Sequence, residues 1–220
     1  MINTLQTSLE SALSKLYNHF PNDSETLHEA VALVFSSIFR KFGIQCIIVG
    51  GQSAAYWMRI PSSTDVDFVT KNGNQISEAL ENCGFIKIDN FQFRFKHPST
   101  NILIELVDDQ ITIKGVRKID TVEVQQEEIE DPIVKALMPG PAEILDPVRV
   151  FLNYVEASSN DSIWFDYEDH GSLAIERAHA LFDLYKNVIL PQLNTLIKNG
   201  DIDNNLVRIL INKFHIVFGS

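Results

Sequence analysis

Cys46-Ile47-Ile48-Val49-Gly50-Gly51-Gln52-Ser53 is the stretch on which the fold turns. An apolar, largely β-branched run that stops at a glycine pair predicts a strand buried on both faces, followed by a tight turn. Gln52 to Met58, rich in Ala and aromatic residues, predicts a short helix leaving that turn. Downstream, Asp65-Val66-Asp67-Phe68-Val69 predicts a second strand. A side-chain period of two places Asp65 and Asp67 on one face, with Val66 and Phe68 on the other. A later strand, Ile102 to Val107, carries one carboxylate, Glu105, inside an otherwise apolar run. An unpaired buried carboxylate is costly, so Glu105 is expected to be paired, metal-bound or at the edge of a cleft.

Upstream, Leu27, Val31, Val34, Ile38 and Phe42 step by three and four, the stripe of an amphipathic helix. Asn22 with Glu25 supplies a capping-box-like start and Gly43 the stop. Leu5, Leu9, Leu13 and Leu16 mark an earlier helix closed by Pro21. Between the acidic strands, Asn74 to Asn82 reads as helix with Gly84 as its cap. Phe91 to Lys96 alternates strictly, which predicts a strand with three Phe facing the core and Gln92, Arg94 and Lys96 facing out.

The acidic stretch from Asp120 to Asp131 and the Pro139-Gly140-Pro141 punctuation suggest a boundary, giving a core of residues 1–138 and a helical domain of 139–220. In the second part, Pro147 to Ala157 reads as helix with Pro147 in its first turn. Asp161 to Asp169 reads as an acidic, aromatic loop. A long helix carrying Ala174, Ala178, Leu181, Tyr185 and Val188 follows, then one opened by Pro191 and closed by Gly200, and a last one from Asp203 to Phe218. The expected class is α+β: a small mixed sheet flanked by helices, with a helical C-terminal region.

Composition narrows the function. Of 220 residues, 45% are hydrophobic and 21% charged, as in globular proteins and unlike disordered or collagen-like chains. No apolar run approaches the ~20 residues of a membrane span, and the N-terminus lacks the basic start and apolar core of a secretory signal. Two cysteines, Cys46 and Cys83, make no disulfide framework, so a cytoplasmic location without membrane contact is expected. Eighteen Lys plus Arg against 29 Asp plus Glu leave a net charge of −11. Such a chain repels long DNA unless a basic face is segregated; Arg94, Lys96, Lys114, Arg117 and Lys118 are the residues that can form one. No pair among the six histidines has zinc-ligand spacing.

A strand, a glycine pair opening a helix, Asp-x-Asp on the next strand and Glu on a later one are the parts that phosphoryl transfer requires together. Mg2+ takes oxygen ligands from carboxylates and substrate phosphates. Carboxylates at i and i+2 on one strand face can share a metal pair, which in such sites lies ~3.5–4 Å apart, with a third from a neighbouring strand. Glycines admit the phosphates to the backbone, and helix-opening N–H groups face the anion.

Val49-Gly50-Gly51, Arg59, Ser63-Thr64-Asp65-Val66-Asp67-Phe68 and Ile104-Glu105-Leu106 together resemble the signature of the polymerase-beta-like nucleotidyltransferase superfamily. The glycine pair and its spacing to Asp-x-Asp are similar to the tRNA CCA-adding branch. The stretch from Arg59 to Asp67 resembles small bacterial nucleotidyltransferases of the abortive-infection (AbiEii) type. The resemblance covers roughly Ile44 to Val107. It implies Asp65, Asp67 and Glu105 as catalytic metal ligands, Glu105 also as general base, holding a two-metal Mg2+ site. It also implies Gly50, Gly51, Gln52 and Ser53 as the phosphate-contacting turn, with Arg59 and Thr64 touching nucleotide or bracing the loop.

The expected activity is transfer of a nucleoside monophosphate from an NTP to a hydroxyl, releasing pyrophosphate. The acceptor is an RNA end, a protein or a small molecule. A second reading is a non-catalytic binding protein of the same fold, one half of a toxin–antitoxin or phage-defence pair.

Overall fold

The computed structural model describes residues 2–59, 65–88, 93–158 and 170–218. In chain order the elements are α1 (Ile2–His19), α2 (Ser24–Lys41), β1 (Ile47–Ile48), α3 (Gly50–Met58), β2 (Val66–Val69), α4 (Gly73–Asn82), β3 (Ile86–Lys87), β4 (Phe93–Lys96), β5 (Leu103–Asp108), β6 (Thr121–Val124), α5 (Pro132–Leu137), β7 (Ala142–Leu145), α6 (Pro147–Ala157), α7 (His170–Lys198) and α8 (Asn204–Phe214). The class is α+β, with one mixed sheet in the order β3-β4-β5-β2-β1-β7-β6. The pairs β1–β7 and β2–β5 are parallel; the other neighbours are antiparallel.

The apolar stripes decide the packing. On β2 and β5, Val66, Phe68, Ile104 and Leu106 are buried and belong to the same core as α1, α2 and α4. Phe39 of α2 meets Phe68 edge-on at 6.4 Å between ring centroids, and Phe35 meets Phe85 at the same distance. Two buried serines fasten α2 to the sheet: Ser36 Oγ donates to the Cys46 carbonyl and accepts from Glu143 N–H, while Ser37 Oγ donates to the Gly140 carbonyl. Helix α2 is capped by Asp23, whose carboxylate accepts from Thr26 N–H at 3.0 Å, one residue after the Asn22 that spacing suggests. Gly43, at φ +76°, ends it in the left-handed conformation that glycine tolerates best.

The alternating β4 segment is observed from Phe93 onward; Phe91 and Gln92 lie outside the described residues. Phe95 is fully buried, whereas Phe93 is 38% exposed with the Lys87 ammonium 4.7 Å over its ring. At that end β3 contributes only two residues, too little to cover a second ring.

Two compact units emerge, divided differently from the boundary that composition suggests. The first comprises Met1–Ile111 with Thr121–Leu145, and the second Thr112–Asp120 with Asp146–Ser220. Pro139-Gly140-Pro141 lies inside the first unit, because β7 immediately after it pairs with both β1 and β6. The sheet therefore takes in residues that sequence assigns to the helical part.

In the second unit, α6 begins at Pro147 after Asp146, whose carboxylate accepts from Val148 and Arg149 N–H. Helix α7 runs on through Pro191; its break is at Tyr185 (φ −118°, ψ 21°), six residues ahead of the proline. Helix α8 ends at Phe214, earlier than Phe218, where His215 takes a left-handed conformation. Arg149 is 1% exposed and is held by Asp120 at 2.5 Å, Asp146 at 3.5 Å, Gln192 Oε1 at 3.3 Å and the Lys118 carbonyl at 3.2 Å. This network ties the Thr112–Asp120 segment to α6 and α7.

Replacing Arg149 with Leu removes the cation that faces the buried Asp146, while Asp120 keeps Lys118 at 3.4 Å. The expected loss is about 3–5 kcal/mol, read as a lower urea midpoint for unfolding.

Candidate functional site

Strands β2 and β5 run parallel with Val66 opposite Ile104 and Asp67 opposite Glu105. Since the alternate residues are drawn into the core, the two carboxylates emerge side by side on the opposite face. Asp65, just before β2, joins them: ligand oxygens of Asp65, Asp67 and Glu105 all lie within 4.8 Å of one another. Among the described residues this is the one cluster of three potential metal ligands, and its all-oxygen donor set suits a hard divalent cation. The site can hold a metal ion.

The glycine pair sits inside the first turn of α3, not in a separate turn before it. Val49 N–H donates to the Asp67 carbonyl at 3.0 Å, which presses the start of α3 against β2. Gly50 adopts φ +58°, and a Cβ placed there would lie 2.1 Å from Asp67 Oδ2. Only glycine admits the carboxylate. Gly51 N–H donates to the same carboxylate, so the positive end of α3 faces the acids.

Gln52 and Ser53 are buried and brace this arrangement from behind. Gln52 Nε2 donates to the Asp65 carbonyl at 2.9 Å, and Ser53 Oγ donates to the Gly50 carbonyl at 2.9 Å. Their side chains thus face inward. Arg59 caps the far end of α3 in a left-handed conformation and pairs with Glu130 at 3.2 Å, both largely exposed. Eight residues separate it from Gly51, about 12 Å along a helix, so it is not gathered with the acids. Thr64 and Ser63 lie outside the described residues, as does the aromatic segment Trp164 to Asp169.

Strand pairing gives a specific partner to Arg94, which the sequence marks as outward-facing and as part of a possible basic face. Arg94 on β4 lies directly opposite Glu105, with Nε 3.1 Å from Oε2. The alternation of β4 signals that Arg94 leaves the core; only the register shows which carboxylate it meets. The other basic candidates, Lys114, Arg117 and Lys118, belong to the second unit.

Electrostatics follow from crowding. Burial, then Asp65, then Glu105 push the Asp67 carboxyl up to about 8, against the Gly51 N–H and Arg94, which pull it down. Burial also raises Glu105, with Arg94 opposing and Asp65 adding. The acids are half-buried on the sheet face opposite the core. A cavity of about 590 Å³ near the start of α4, lined by Thr70 to Gln75, Phe93 and Leu106 to Asp109, includes none of them.

The Asp67 shift has a definite sign. An unfolded Asp titrates near ~3.9, whereas the folded one holds its proton to about 8. The native state binds more protons across that window, so stability falls as pH rises from ~4 to about 8 and levels off above it. Asp67→Asn is therefore expected to raise the melting temperature of the metal-free protein, by a margin that grows over this range. Divalent-cation affinity should rise with pH up to about 8, by at most ~10-fold per unit, because ligation expels that proton; calorimetry at several pH values reads it. Gly50→Ala should unseat Asp67 and weaken cation binding at least ~10-fold, since both φ and the 2.1 Å approach forbid a side chain.

Among the described residues no helix is long and apolar enough to cross a membrane. Comparison with known proteins finds no matching family model, no similar curated protein and no similar solved structure.

Proposed function

We propose that this protein is a metal-dependent nucleotidyltransferase that moves a nucleoside monophosphate from an NTP to a hydroxyl. The observation that carries the reading is the convergence of Asp65, Asp67 and Glu105 within 4.8 Å beside the N-terminal turn of α3. A cluster of like charges that burial and mutual repulsion make unfavourable is what a cation-binding site needs, and it serves no packing purpose.

In this reading Asp65, Asp67 and Glu105 hold Mg2+, which when bound lowers the pKa of the attacking hydroxyl and neutralises charge on the triphosphate. Asp67 gives up its proton on loading. The N–H groups opening α3 receive phosphate oxygens at the positive end of the helix. Gln52 and Ser53 contribute by keeping that turn rigid rather than by touching the nucleotide. Glu105 takes the proton of the attacking hydroxyl as the new P–O bond forms to the α-phosphorus and the bond to pyrophosphate breaks. Arg94, paired with Glu105, fixes the orientation of that carboxylate.

Incubation of the purified protein with each α-labelled NTP, Mg2+, bacterial RNA and a soluble protein extract tests this. Label is expected to enter an acceptor with the intact acids and to fall to background in an Asp65→Asn/Asp67→Asn variant. Transfer by that variant at the unmodified rate would overturn the mechanism. Failure of either protein to transfer label, while Mg2+-dependent ATP binding persists by calorimetry, would instead make the site a nucleotide-binding module.

A further inference from the structure

The β2–β5 pairing slips by one residue past Phe68: Phe68 faces Leu106 but Val69 faces Asp108, so Val107 has no partner on β2. Just beyond the slip, β2 ends at Val69 and α4 starts at Gly73. The cavity of about 590 Å³ is lined by this connection, by the end of β5 and by Phe93 of β4. Its volume falls within the ~300–1,000 Å³ of small-molecule sites. Thr70 holds the frame in place. Its N–H donates to the Asp108 carbonyl at 3.1 Å, while its Oγ1 donates to the Gln45 carbonyl at 2.6 Å and accepts from Asn72 N–H at 3.0 Å. Along β2, Thr70 stands about 10 Å past Asp67, so the cavity is a separate place from the acidic cluster.

The lining is mixed in charge. Lys71 brings an ammonium, and Asp108 and Asp109 bring two carboxylates. Among the described residues none of the three enters an ion pair, so opposite charges stand more than 4.0 Å apart around one cavity. The Asn72 side chain makes no capping hydrogen bond, which leaves a free amide next to Lys71 in the chain. Phe93 is 38% and Val107 42% exposed, an apolar surface in the same lining. The Lys87 ammonium lies 4.7 Å over the Phe93 ring. A ligand of one sign meets a like charge here: an anion faces Asp108 and Asp109, and a cation faces Lys71 and Lys87. A zwitterion satisfies both sets, because its two charges fit between groups that are too far apart to pair with each other.

We infer that this cavity is a binding site for a free α-amino acid with a large apolar side chain. Lys71 and the Asn72 amide donate to the ligand's carboxylate, Asp108 and Asp109 accept from its ammonium, and its side chain lies against Phe93 and Val107. None of the groups assigned to metal or phosphate takes part, so the site stands apart from the nucleotidyltransferase reading.

Calorimetry of the full chain compares L-phenylalanine and L-leucine with N-acetyl-L-phenylalanine and L-phenylalaninamide. Both free amino acids are expected to bind, and blocking either end of phenylalanine to weaken binding about 10-fold or more. Lys71→Gln should erase the preference for phenylalanine over its amide, since the partner of the carboxylate is gone. Asp108→Asn/Asp109→Asn should erase the preference over the N-acetyl derivative. Phe93→Ala should weaken all of these ligands alike, and an Asp65→Asn/Asp67→Asn variant should bind phenylalanine as the unmodified chain does. Absence of binding by both amino acids would overturn the site. Equal binding of the free and blocked forms would do so too, as would loss of phenylalanine binding in the Asp65→Asn/Asp67→Asn variant.

Discussion

The carboxylate of Asp67 occupies the space where any residue but glycine at position 50 would carry its Cβ. That approach couples three things that the chain supplies separately: the left-handed start of α3, the register of β2 against β5, and the hydrogen bond from Val49 N–H to the Asp67 carbonyl. If any of them shifts, the acids no longer meet. A one-residue slip of β2 would turn Asp67 into the core and Phe68 onto the open face. Burial of Val66, Phe68, Ile104 and Leu106 is therefore what fixes the positions of the charged groups.

The supporting polar groups follow from this approach. Gln52 and Ser53 sit where side chains can reach the carbonyls of Asp65 and Gly50, and both are buried because their role is to hold the backbone. Arg94 relieves part of the repulsion from the side of β4, and Gly51 N–H relieves part from α3. Neither is enough to restore Asp67 to the ordinary carboxylate range. A cation held by the three acids would release the residual repulsion and would link proton loss, metal binding and stability at one group.

The second unit is built on a different principle. Beside an apolar core that includes Phe151, Leu181, Leu193 and Phe214, it holds one buried guanidinium, Arg149, satisfied by carboxylates on either side and by an amide and a carbonyl. A planar group with five donors can gather a loop, a helix start and a second helix at one point, which lysine cannot do. The Asp146 carboxylate also caps α6.

Much of this was written in local sequence, because short-range chemistry determines it. The β-branched run from Cys46 to Val49, the alternation of Asp65 to Val69 and the step of Leu27 to Ile38 each fix an element through burial alone, and the α+β class follows. Asp65, Asp67 and Glu105 were legible as a set because carboxylates in apolar strands demand a reason. Long-range pairing decided the rest. The strands β3, β6 and β7 are short and lack a decisive pattern, and β7 joins the sheet only because β1 and β6 are there to pair with it. The same partners move the unit boundary past Pro141. Arg94 meets Glu105, and Gly50 rather than Ser53 faces the acids, through register and backbone conformation, which no single stretch of sequence encodes.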